Sequence, residues 1–117
     1  MRTILASLAL LAAATAMADP AVIEDVEARA TGNTWSFSVT LSHPDTGWDD
    51  YADGWRVTLE DGTIIATRTL FHPHVNEQPF TRSLGDVKIP EGVSKVYIEA
   101  STNVTGWDAE RVAFELE

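Results

Sequence analysis

The chain has 117 residues, no cysteine, and 18 acidic against 8 basic side chains, a formal net charge of −10 at pH 7. Such a field repels phosphate backbones and argues against nucleic acid as a partner; it favours cations or basic proteins. Without cysteine the sequence offers neither disulfide staples nor thiolate metal sites.

The first element is a targeting segment. MRTILASLALLAAATAMA carries Arg2, an apolar run from Ile4 to Ala14, and Ala16 and Ala18 in an A-x-A arrangement. It reads as a signal peptide over residues 1–18, cleaved after Ala18. The run is shorter than the roughly 20 residues of a spanning helix, and nothing later is apolar enough to cross a membrane. The expectation is a periplasmic or secreted protein with no membrane span in its mature chain. Residues 19–117 keep all 18 acidic side chains and lose only Arg2 among the basic ones. At about 100 residues this is one domain, able to bury a core unaided.

Apolar residues then recur with period two, which predicts an all-β body. A first strand spans Val22 to Ala30, and Thr31-Gly32-Asn33 turns it into the clearest one, where Trp35, Phe37, Val39 and Leu41 alternate with Ser36, Ser38 and Thr40. Trp55-Val57-Leu59 follows, then Asp61-Gly62 as a two-residue hairpin signal and a β-branched strand from Thr63 to Leu70 whose phase is ambiguous. Phe80 to Ile89 changes phase near Gly85, the mark of a bulge or tight bend. After Pro90-Glu91-Gly92 come Val96-Ile98-Ala100 and Val112-Phe114-Leu116. Seven strands predict an antiparallel sandwich of immunoglobulin or fibronectin type III kind, with Phe37, Val39, Val57, Leu59, Val96, Ile98, Val112 and Phe114 inward. Thr46-Gly47-Trp48-Asp49 echoes Thr105-Gly106-Trp107-Asp108, too short a likeness to define a repeat.

Alternating strand direction places the loops 43–54, 71–79 and 103–109 at one end of such a sandwich, where long loops carry binding function. All three histidines fall there. In His72-Pro73-His74 proline favours extended backbone, so the two histidines point to one side, roughly 6.5 to 7 Å apart along the chain. With His43 as a third nitrogen, and Asp45, Asp49, Asp50 or Glu77 as oxygen donors, this set predicts a divalent transition metal, Cu(II) or Zn(II), with Ni(II) behind. Calcium through Asp45, Asp49, Asp50 and Asp53 ranks lower, because the spacing does not match an EF-hand. The competing reading makes the histidines structural. It assigns binding to loop aromatics, Trp48, Tyr51 and Trp107, in an adhesion, carbohydrate-binding or protein-binding module; Trp55, which opens an apolar strand phase, belongs to the core. No nucleophile–base–orienter set can be read, so the expected module is non-catalytic.

The segment FHPHVNEQPFTRS, Phe71 to Ser83, followed by Ile89-Pro90-Glu91-Gly92-Val93, resembles a family of small exported bacterial β-sandwich proteins of uncharacterised activity. The resemblance covers the middle third of the chain and implies an exported sandwich, with no activity to carry over. Within it Glu77 and Arg82 are natural ion-pair partners.

Overall fold

The computed structural model describes residues 18–116, and the expected signal peptide lies outside them apart from Ala18. Alternation in the second strand decides the architecture. Phe37, Val39 and Leu41 are buried while Ser36, Ser38 and Thr40 between them keep contact with solvent. This strand, β2 (Thr34–Ser42), pairs antiparallel with β1 (Val22–Thr31) on one side and β5 (Phe80–Val87) on the other, giving a three-stranded sheet. Its outward rungs are hydroxyl pairs: Ser38 Oγ lies 2.7 Å from Ser83 Oγ, and Thr40 Oγ1 lies 2.6 Å from Thr81 Oγ1. Such cross-strand pairs fix register on a solvated face.

The second sheet is built around β3 (Ala52–Thr58), between β4 (Ile64–Thr69) and β6 (Lys95–Thr102). The far side of β6 pairs first with β8 (Val112–Glu115) and then, near its end, with the short β7 (Gly106–Trp107). The described residues form two antiparallel sheets, of three and five strands, with no helix long and apolar enough to cross a membrane. Phe37, Val39 and Leu41 of one sheet join Trp55, Val57, Val96 and Ile98 of the other in a single apolar cluster. Phe37 and Phe114 meet edge to face across it, ring centroids 6.3 Å apart.

Three departures from the sequence expectation have local causes. The strands number eight rather than seven, because Gly106 and Trp107 add two residues to the edge of β6, too short a stretch to show alternation. Val112 is 38% exposed although it pairs with core Ile98 and so keeps the inward register; it opens the strand at the edge of the sheet. The turn at Asp61-Gly62 is a wider loop, closed by the Leu59 amide on the Thr63 carbonyl at 2.9 Å. Asp61 Oδ1 accepts the Thr63 amide at 3.0 Å, which draws the chain into an Asx-type turn.

The phase change near Gly85 is a bulge. Leu84 pairs with Phe37 and Val87 with Trp35, so Gly85 and Asp86 together oppose Ser36. Asp86 adopts φ of 56°, which a short polar side chain tolerates and a β-branched one does not. Asp86→Val should therefore cost about 1–2 kcal/mol in urea unfolding. An unchanged midpoint would mean that the bulge relaxes without strain.

Candidate functional site

The loops after β2, β4 and β6 come together at one end, and buried polar groups hold them there. Asp45 is the centre. Its Oδ1 accepts His43 Nδ1 at 2.6 Å and the Ala52 amide at 3.0 Å, while Oδ2 accepts the His74 amide at 2.7 Å. One carboxylate thus ties the loop after β2 to the start of β3 and to the loop after β4. Gln78 repeats the link, accepting the His43 amide at 2.9 Å and donating to the His74 carbonyl at 3.0 Å. Asn103 binds in the third loop: Oδ1 accepts the Tyr51 amide at 2.8 Å and Nδ2 donates to the Trp48 carbonyl at 2.9 Å. His43, His72, His74, Trp48 and Tyr51 therefore share one end, as strand alternation requires.

Proximity does not make the histidines a metal centre. The His43 side chain is fully buried, and its nitrogens face Asp45 Oδ1 and, at 3.1 Å, the Asp19 carbonyl. Both ring nitrogens are thus turned to protein oxygens inside the fold rather than to an open coordination position. His74 is buried and stacked on Phe80, centroids 3.9 Å apart, with Nε2 2.9 Å from Arg82. A guanidinium only donates, so Nε2 accepts and the ring proton sits on Nδ1. Freeing Nδ1 for a metal would move that proton to Nε2, against the Arg82 donor. His72 is exposed, its ring 4.7 Å from that of His74. Among the described residues no group of three or more His, Asp or Glu is arranged to hold a metal ion. In this arrangement His43 is turned to protein oxygens, while His72 lies beside His74, whose Nδ1 has no hydrogen-bond partner among the described residues.

The oxygen donors are dispersed in the same way. Asp45 is spent on the three bonds above, Asp53 accepts the Ser101 hydroxyl, and Glu77 pairs with Arg82 at 3.3 Å, the ion pair read from the sequence. Asp50 Oδ1 is buried 3.6 Å from His43 Nε2, while Asp49 points to solvent. Calcium finds no convergent carboxylates among these four aspartates.

The aromatic residues divide into exposed and packed. Trp48 is 64% exposed, its ring edge-on to Tyr51 with centroids 5.5 Å apart. Trp107 lies over the outer face of the five-stranded sheet, with the Arg56 guanidinium 3.9 Å from its ring centroid and the ring tip against Gly54, where a Cβ would sit 3.4 Å away. It serves as a sheet cover more than as a free ring. Sequence reasoning missed Phe71, at 72% the most exposed large apolar side chain among the described residues, and Val75 at 50%. The available signal was their place flanking the His72-Pro73-His74 tract, which drew attention to the imidazoles instead. A shallow cleft of about 510 Å³ runs between Trp48, His72, Pro73, Val75 and Glu77.

His74 gives the site a pH signature. Burial first, then the Arg82 guanidinium and His72, hold its pKa below the ordinary 6.5, against smaller opposing effects of Glu77 and Asp45. The unfolded chain takes up this proton near pH 6.5 and the folded chain only at lower pH. The unfolded state thus binds more protons in that window, and stability present above pH 6.5 is lost as pH falls towards the folded-state value. His74→Gln should flatten the decline in urea-unfolding free energy between pH 7.5 and 5.5. Parallel curves for the two proteins would remove His74 as its source.

Compared with known proteins, the chain is 36% identical over 88 residues to a protein of Halomicrobium mukohataei described as a "Putative lipoprotein", a match covering 75% of this chain. The chain spans only 43% of that relative's length. No family model matches, and no solved structure matches.

Proposed function

We propose that the protein is an exported, non-catalytic recognition module that binds a protein partner through the aromatic end of a fibronectin type III-like sandwich. The strand order supports the fold type: β4 pairs with β3 rather than β5, which gives the three-plus-four arrangement of that fold once β7 and β8 are taken as one interrupted edge strand. Export is supported by the signal-like residues 1–18 and by a relative whose name is that of a lipoprotein.

The observation that carries the binding reading is the exposure of Trp48 and Phe71 on loops pinned by Asp45 and Asn103. Large rings left in water on a braced surface lose little conformational entropy on binding, which is why such residues serve as interface anchors. The test compares wild type with Trp48→Ala/Phe71→Ala, both as baits against the envelope fraction of the source organism, with cross-linking and identification of the adduct. A protein adduct lost in the variant supports the reading; a glycan retained by the wild type alone would move it to carbohydrate binding. Stoichiometric Cu(II) or Zn(II) uptake abolished by His72→Ala would restore the metal-binding alternative.

A further inference from the structure

Two of the three loops at the ring-bearing end carry carboxylates, and none of the three carries a lysine or arginine. Segment 43–51 holds Asp45, Asp49 and Asp50 and segment 70–79 holds Glu77; Asp45 is buried, which leaves Asp49, part of Asp50 and Glu77 in contact with solvent. Arg82, which reaches the site from β5, is engaged by His74 and Glu77. Trp48, Phe71, Val75 and Val104 add an exposed apolar surface at the same end. The end opposite, among the described residues, exposes Ile64 as its large apolar side chain. Apolar anchors within an acidic rim form a surface whose complement is apolar side chains flanked by positive charge.

Resting on the recognition reading above, we infer that the occupant is a basic protein segment, its apolar side chains seated between Trp48 and Val75 and its lysine or arginine heads against Asp49 and the Glu77 oxygen that Arg82 leaves free. A second copy of this chain is a poor occupant. It would bring the same surplus of carboxylates, and like charges facing each other across an interface are repulsive. A neutral sugar could stack on Trp48 but would leave the rim carboxylates without a role. The loop bracing matters too, because a surface fixed before binding meets its partner with little rearrangement.

The test uses the full chain and three labelled synthetic peptides of equal length: lysine–leucine, lysine–serine and glutamate–leucine repeats, read by fluorescence anisotropy. The lysine–leucine peptide should bind, more weakly as salt is raised, and at least tenfold more tightly than the other two. Trp48→Ala/Phe71→Ala, which leaves net charge unchanged, should weaken that binding about tenfold with no change in Tm. Glu60→Gln/Glu91→Gln, which removes two exposed charges in the turns at the opposite end, should leave it nearly unaffected. Equal binding by wild type and the ring-deleted variant would show a general charge effect and overturn the inference. Tighter, ring-dependent binding of the glutamate–leucine peptide would overturn the basic partner and leave the recognition surface standing. If no peptide responds to loss of the rings, both readings fail.

Discussion

Asp45→Ala is expected to lower the unfolding free energy by about 3–5 kcal/mol, the cost of removing one partner from a buried hydrogen-bonded pair. The substitution strands three donors at once: His43 Nδ1 and the amides of Ala52 and His74. Each buried donor left without a partner costs about 1–3 kcal/mol, reduced where water enters the gap. With a Tm change of about 4–8 °C per kcal/mol for a domain of this size, the fall should be on the order of 15–30 °C. Asp45→Asn, which keeps one acceptor oxygen, should lose less. A Tm within about 3 °C of wild type for Asp45→Ala, well under what 1 kcal/mol would give, would mean that the three loops are held by something other than this carboxylate.

The second large effect lies in the core. Among the described residues Trp55 is the largest fully buried side chain, and its Nε1 has no hydrogen-bond partner there. Trp55→Ala should cost about 3–5 kcal/mol through lost apolar burial and the cavity left behind. Trp55→Phe should cost well under half of that, because it keeps an aromatic ring in the cluster and removes a buried donor whose desolvation was uncompensated. Equal losses for the two variants would show that Nε1 is satisfied in solution, by a water or a ring face.

Alternation makes much of this core legible in the sequence. Phe37, Val39, Val57, Val96 and Ile98 are buried because a one-residue slip would turn each strand's apolar set to solvent. The bulge was readable from the broken phase at Gly85, although the strained residue proved to be Asp86. What periodicity cannot carry is a contact fixed by a single side chain across distant loops. Asp45 follows a proline and reads as turn chemistry, yet its carboxylate reaches the amide of His74 on another loop. Nothing local in His-Pro-His shows that Arg82, from β5, takes one ring nitrogen as an acceptor. Residue type suggested ligands; the structure adds that His43 and His74 also join in bracing the loops.

That distinction rests on where the His74 proton sits, and nitrogen-15 NMR of the imidazole rings reads it directly. At pH 7.5 the account predicts a neutral His74 protonated on Nδ1 with an unprotonated Nε2, and signals of His43 and His74 unmoved by one equivalent of Zn(II). A His74 protonated on Nε2, or a Zn(II)-induced shift of either buried ring, would contradict it.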